Sequence, residues 1–413
     1  MGRSRGEYRK REAQRLPDED VEGSQVLRPV AIVGVGQTPY RRSHADKSSR
    51  ELIWAAAKEA LDDAGMTMND IDVVMAGVAP DALAGEASVE RSGMMGRGLP
   101  FMRVNTGGVT GSSTVFAGAS YIRAGRAKAV LVFALERMGQ ATTSQQVFNT
   151  IFDPIYEKDF PLTTITMAAL RASMLMRLYG YTHRHWAEIA ARNYRHAARN
   201  PLAHIRRVVT PDEVLQSPLL AWPIHRMEAC PMSEGACAMV LVDAEHAAGR
   251  RPVWIQGYAS TSDSYAMGDR IHRPEATLVD LLTLRLSAQK AYKEAGVTDP
   301  RRQIRVVELY SAFSSAEAMA YPALGFCTSP EGPAFVEQQL VDSTLPVFNP
   351  SGGPQGANPV GATAMVRIAE CALQVRGTAG DRQVDGVERA VATGQGGATQ
   401  FSTVCVLGRH PTS

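Results

Sequence analysis

No run of about 18 apolar residues occurs in the chain, so no segment reads as a membrane-spanning helix. An excess of one charge sign is also missing. Lys and Arg number 44 against 42 Asp and Glu, a net charge of +2, which gives no electrostatic case for a nucleic-acid partner. Cysteine is scarce, with five residues at Cys230, Cys237, Cys327, Cys371 and Cys405. The count is odd and no Cys-x-x-Cys pair exists, which argues against a disulfide framework or a zinc site and fits a reducing cytoplasm. His183 and His185 have no evident third ligand, so they read as a surface pair and no metal is expected. No Walker motif is present, and GVGQTP at Gly34 to Pro39 lacks the third glycine of a dinucleotide fingerprint.

The N-terminus, MGRSRGEYRKREAQRLPDEDVEGSQ, has basic charge but no apolar h-region, so it is not read as a secretory signal. Polar and of mixed charge, residues 1–27 are expected to form a flexible arm.

What the chain does have is glycine, 36 residues of it, and a hydrophobic fraction of 45%. Both suit a large core with many tight strand–helix turns. VAIVGVGQT (Val30 to Thr38) reads as a buried strand. SSRELIWAAAKEALDDAG follows as a helix with Leu52, Ala56, Ala60 and Ala64 on one face. Ser48 or Ser49 is its start cap and Gly65 its stop. IDVVMAGVA (Ile71 to Ala79) is the next strand. The script returns late in the chain. SAQKAYKEAGVT (Ser287 to Thr298) repeats AAKEALDDAGMT (Ala56 to Thr67), laying Ala60 over Ala291 and Gly65 over Gly296, and IRVVELY from Ile304 repeats IDVVMAG from Ile71.

A second pair strengthens the repeat. VNTGGVTGSST (Val104 to Thr114) and NPSGGPQGANPVGAT (Asn349 to Thr363) each open a helix that leads to an apolar strand. The order predicts an α/β fold of two pseudo-symmetric halves, with helices between and outside the sheets. The halves are placed at residues 28–139 and 271–413, with 236–270 completing the first and crossing to the second. Residues 140–235 break the pattern and read as an inserted loop domain over a site. Gly-rich turns at helix N-termini offer free N–H groups to an anion, so chemistry is expected at 104–112 and 349–363.

VAIVGVGQTPY, AGRAKAVLVFALERMG, ACPMSEGACAMVLV (Ala229 to Val242) and NPSGG with NPVGAT together resemble the thiolase superfamily over about residues 28–409. More narrowly, they resemble sterol-carrier-protein-type thiolases and lipid-transfer-protein homologues. The resemblance implies a five-layer αβαβα thiolase fold, a loop domain over the active site, acyl-CoA substrates and a homodimer. Coenzyme A would enter only as part of the substrate, with no other cofactor.

Four active-site loops can be matched residue by residue. The nucleophile loop is Gly108-Val109-Thr110-Gly111, so Gly108 stands where the family carries its cysteine. The second loop is Tyr310-Ser311-Ala312-Phe313, with a phenol in place of Asn or His. The third is Ala357-Asn358-Pro359, with an amide where the family has imidazole, and the stretch after Gly352-Gly353 is one residue shorter. The fourth, Thr393 to Gly397, lacks the second cysteine. Without nucleophile and base, ordinary acetyl-CoA acetyltransferase chemistry is not expected.

Some lipid-transfer-protein homologues share the missing cysteine and the second-loop tyrosine. They act as steroid side-chain aldolases with an accessory protein carrying an OB-fold and zinc ribbon. The resemblance therefore implies a carbon–carbon lyase performing retro-aldol cleavage of a β-hydroxyacyl-CoA. Tyr310 would be its acid/base, Asn358 would orient a water or the thioester oxygen, and backbone N–H groups near Gly108, Gly396 and Gly397 would hold the enolate. The third loop departs from those aldolases, which carry another tyrosine there. A catalytically silent acyl-CoA-binding or scaffolding subunit, and an acyltransferase using another nucleophile, stay open. Cys230 and Cys237 read as buried structural thiols, Ser112, Ser113 and Thr114 as capping or packing residues, and His196 as a partner of its own helix's last carbonyls. Arg171, Arg184, Arg192 and Arg195 are candidates for the phosphates of coenzyme A.

Overall fold

The computed structural model describes residues 28–78, 98–138, 144–157, 159–271, 273 and 276–412. The expected N-terminal arm lies outside them. The first half runs β1 (Val30–Gln37), α1 (Ser49–Ala64), β2 (Val73–Val78), β3 (Phe101–Val104), α2 (Thr110–Arg123), β4 (Ala129–Glu136) and, after a long excursion, β5 (Gly235–Asp243). Among the described residues, the excursion holds α3 (Thr164–Tyr179) and α4 (His183–Ala198), three shorter helical segments and a small hairpin, Leu219–Ala221 with Ile224–His225. The second half runs β6 (Val253–Ser262), α5 (Leu282–Ala295), β7 (Val306–Glu308), α6 (Ser314–Ala323), β8 (Val347–Phe348), α7 (Val360–Arg376), β9 (Arg389–Gly396) and β10 (Phe401–Gly408).

The two halves have the same topology. From its outer edge the first reads β3-β2-β4-β5-β1 and the second β8-β7-β9-β10-β6. In each, the outer three strands are parallel and the inner ones antiparallel. Only two residue pairs, Ala31 with Trp254 and Ile32 with Val253, join β1 to β6. The second half therefore begins at β6, inside the 236–270 segment that the sequence assigned to the crossover.

Strand alternation sorts the core into layers. Val30 and Ile32 face the middle, against Val115 and Ala119 of α2, Met365 and Ala369 of α7, and Ala390 and Ala392 of β9. Ala31 and Val33 face outward onto Leu52, Ile53 and Ala56 of α1. Val391, Val404 and Val406 face the other way, onto Leu284, Ala288 and Ala291 of α5. The order is α1, sheet, α2 with α7, sheet, α5: five layers.

The outer helices dock by backbone contact. A Cβ on Gly34 or Gly36 would strike the carbonyl oxygens of Ala60 and Ala56, and one on Gly257 that of Ala291. Ala60 and Ala291 are the residues the internal repeat superposes, so both halves use a glycine-bearing first strand beneath the same helix position. Ser48 and Glu51 form a capping box at the start of α1. Gly65 and Gly296 end α1 and α5 in the left-handed conformation, at φ 61° and 64°.

These contacts separate packing from conformational cost. Gly36→Ala should lose at least about 2 kcal/mol in thermal or denaturant unfolding through overpacking. Gly65→Ala, where an added Cβ meets nothing within 4 Å, should lose about 1 kcal/mol from its positive φ alone.

Candidate active site

The Gly-rich turn before α2, the β7–α6 loop, the turn before α7 and the β9–β10 turn converge on one cavity of about 760 Å³. Each loop is pinned by buried polar contacts. Asn349, at φ 50°, accepts from the Leu309 N–H at 2.7 Å and donates to the Glu317 carboxylate at 2.8 Å. Glu317 also takes Arg192 and, at 2.8 Å, Asn193 of α4. Glu308 at the end of β7 accepts from the Ser351 N–H and hydroxyl and from Arg367. The inserted helices and the second-half loops thus share one hydrogen-bonded network, in which each buried charge has a partner.

Gly108 lines the cavity. A Cβ placed on it would lie 2.5 Å from the Gln395 carbonyl oxygen and 3.1 Å from the Gly396 Cα. The fourth loop therefore fills the space that a side chain at this position would need. Gly396 sits behind: its own Cβ would lie 3.3 Å from the Gly108 and Val109 nitrogens. Gln395 and Gly397 face the cavity. Ser112 packs against Val109 and Thr403, Ser113 accepts from Thr106, and Thr114 bonds back to Thr110. Those three hydroxyls are occupied in packing.

Tyr310 is 6% exposed and borders the same space. Its N–H donates to Thr393 at 3.0 Å, and its phenol donates to the Val360 carbonyl at 3.3 Å. Burial raises the phenol well above its ordinary range. The neighbouring Cys230 and Glu136 push the same way, while Thr363 and Arg367 act against them. A free phenolate at neutral pH is thereby disfavoured. Glu136, at the end of β4, accepts from the Gly361 and Arg137 N–H groups, and burial lifts its carboxyl to about 8.

Asn358 also borders the cavity. Its Oδ1 accepts from the Thr363 hydroxyl at 2.8 Å and its Nδ2 donates to the Cys230 sulfur at 3.0 Å. Cys230 was expected in the core, yet it lines the cavity alongside Tyr310 and Asn358. The segment before β5 puts it there: the Cys230 N–H bonds to the Ala312 carbonyl, and Ser233 exchanges hydrogen bonds with the Asn358 backbone. Burial pushes the thiol up to about 12 against the Asn358 hydrogen bond, so it carries almost no thiolate at neutral pH. Cys237 lies fully buried in β5.

Of the four candidate arginines, only Arg171 lines the cavity. Arg184 is exposed and bound to Glu188 and Asp212, Arg192 is locked to Glu317, and Arg195 is exposed on α4 away from the cavity. Arg207 and Arg226 escaped the sequence reading; both are exposed and line the cavity near Tyr194. Much of the remaining lining is apolar, including Phe148, Met167, Met227, Met232, Phe313 and Met319. No carboxylate or imidazole lines it among the described residues. His185, read as a surface residue, is buried and caps α4 by accepting from the Thr182 N–H at 2.9 Å. His196 reaches the Asn349 carbonyl rather than its own helix end, and burial with Arg192 nearby lowers it to about 4.

The five-layer arrangement and the loops at its centre can be set against known proteins. The thiolase N-terminal domain family matches residues 30–245, and the thiolase C-terminal domain-like family matches 266–409. The chain belongs to the thiolase family. Sterol carrier protein 2 of Gallus gallus is 30% identical over 393 residues, covering 90% of this chain and 70% of its own. An acetyl-CoA acetyltransferase of Methanothermobacter thermautotrophicus is 29% identical over 396 residues, covering 93% and 100%. A solved Ltp2-ChsH2(DUF35) aldolase superposes with a TM-score of 0.79 at 26% identity, over 93% of this chain and 98% of that one. Human mitochondrial 3-ketoacyl-CoA thiolase, at 16% identity and a TM-score of 0.70, shares the fold. Within that superfamily it is a protein of the sterol-carrier-protein-2 type. Among its described residues no helix is long and apolar enough to cross a membrane.

The state of the Cys230 thiol can be read directly. Iodoacetamide at pH 8, followed by peptide mass spectrometry, should alkylate Cys230 at least about a hundredfold more slowly than a free cysteine. Comparable rates would show an activated thiolate.

Proposed function

We propose that this thiolase-family protein cleaves carbon–carbon bonds in β-hydroxyacyl-CoA thioesters by a retro-aldol reaction with no covalent acyl-enzyme. The observation that carries this reading is the blocked position at Gly108, where the Gln395 carbonyl would meet any added side chain. Tyr310 and Asn358 border the same cavity. The similarity to an aldolase along most of the chain supports it. A cavity of about 760 Å³ rich in Met and Phe suits a bulky acyl group of the steroid side-chain kind. The exposed Arg207 and Arg226 suit the phosphates of coenzyme A. That aldolase's two-part name also supports an accessory partner, here an OB-fold and zinc-ribbon protein.

The proton inventory shapes the mechanism. With no carboxylate or imidazole in the lining among the described residues, the phenol of Tyr310 serves both transfers. Its oxygen accepts the β-hydroxyl proton as the Cα–Cβ bond breaks, and its own proton passes to the enolate carbon. A carbonyl compound and a shortened acyl-CoA result. The ring stays neutral throughout, as its burial demands. Backbone N–H groups at Gly108 and Gly397, with the Asn358 amide, steady the thioester oxygen while negative charge develops.

A second reading is kept alive by Cys230, a thiol that lines the cavity alongside Tyr310 and Asn358. An acyltransfer through it would leave an acylated cysteine.

Incubating the protein, alone and with the accessory partner, with a tertiary β-hydroxyacyl-CoA should release a ketone. Tyr310→Phe should lower kcat by about 10²–10⁴-fold with KM changed by less than about threefold. The wild-type rate should not climb between pH 7 and 9, because the raised phenol pKa keeps phenolate from forming in that window. Absence of ketone in both conditions, or an acyl adduct on Cys230, would reject the aldol reading.

A further inference from the structure

Arg171 is a buried cation with no counter-ion among the described residues. α3 turns Thr164, Met167, Ala168 and Arg171 toward the cavity at i, i+3, i+4 and i+7 spacing, so the guanidinium belongs to the wall. The residue is 5% exposed. Its Nη2 donates to the Ala398 carbonyl at 2.7 Å and to the Thr399 hydroxyl at 2.8 Å. Its Nε is fully buried with no partner, and its Nη1 makes no hydrogen bond among the described residues.

The nearest charge makes matters worse. Arg270, also 5% exposed, donates its Nη1 to the same Ala398 carbonyl at 2.7 Å. Asp263 and Glu157 offset Arg270, whereas the charge felt by Arg171 is that of Arg270. If the purpose were only to hold the Ala398 carbonyl, one arginine would suffice, and the second adds like-charge repulsion in a buried place. A guanidinium under these conditions is costly unless an anion completes it.

We propose that Arg171 recognises a carboxylate carried on the acyl part of the substrate, so that the protein selects acidic acyl-CoA thioesters over neutral ones. This rests on the acyl-CoA reading above. The phosphates of coenzyme A are poor candidates for the same role. They remain hydrated and suit the exposed Arg207 and Arg226 near Tyr194, whereas Arg171 lies among Met167, Ala168 and the Ala398 loop. The free Nη1 supplies a charge-assisted hydrogen bond, and the contact with Ala398 sets the guanidinium beside the Gly396-Gly397 turn.

The test compares octanoyl-CoA with its ω-carboxylated counterpart, suberyl-CoA, by titration calorimetry on the full-length protein at pH 7.5. Suberyl-CoA should bind about tenfold more tightly to the wild type. Arg171→Met should erase that preference while moving octanoyl-CoA affinity far less, and Arg171→Lys should restore part of it. Equal binding of the two thioesters to the wild type, a result independent of any variant's folding, overturns the proposal. Parallel loss of both ligands in a folded Arg171→Met also overturns it, by assigning the arginine a structural role. If the wild type binds neither thioester, the acyl-CoA reading falls and this proposal with it. Binding of octanoyl-CoA alone leaves that reading standing and overturns only the carboxylate site.

Discussion

The centre of this molecule is organised by a backbone approach. The turn before α2 and the end of β9 come so close that the Gln395 carbonyl occupies the side-chain space of Gly108. Nothing larger than hydrogen fits there unless one loop moves, because a well-packed interior does not yield readily to an added carbon. That one constraint shapes the chemistry available. It keeps a side chain from the mouth of α2 and sets the Gly396 turn against the Gly108 and Val109 nitrogens, in a cavity that Tyr310 and Asn358 also line.

The second-half loops around the cavity are held by a different kind of force. Glu317, Arg192, Asn193 and Asn349 form a buried polar cluster joining the inserted helices to the second half. Such a cluster gives little net stability over an apolar core but fixes geometry strongly, since each unpaired member would be costly. The insertion is therefore part of the site as well as its cover. It supplies Arg171 from α3 and Cys230 from its last segment, and it fixes the Asn358 backbone through Ser233.

Burial decides what the site's groups can do. The same exclusion of water that tightens electrostatics lifts the Tyr310 phenol, brings Cys230 to about 12 and holds Glu136 near 8. The Tyr310 phenol and the Glu136 carboxyl are held toward their protonated forms, and the Cys230 thiol toward its neutral one.

The sequence by itself determined the repeat and the family, and through the family resemblance the five layers. Strand patterning, the Ser48 cap, the Gly65 and Gly296 stops and the Ala60–Ala291 correspondence are local signals, written within a few residues of where they act. The loops bearing Gly108, Tyr310, Asn358 and Gly397 were legible through the resemblance, because each can be matched to a short family motif. Only the tertiary structure decided which distant residues join them. Cys230 looked like core because it precedes a buried strand, yet hydrogen bonds to Ala312 and from Asn358 turn it into the cavity. Arg171 was one of four similar arginines until packing showed that Arg184 and Arg192 already have carboxylates and that Arg171, among the described residues, has none. Proximity across a hundred or more residues, and the water it excludes, belong to the assembled core; no window of the chain encodes them.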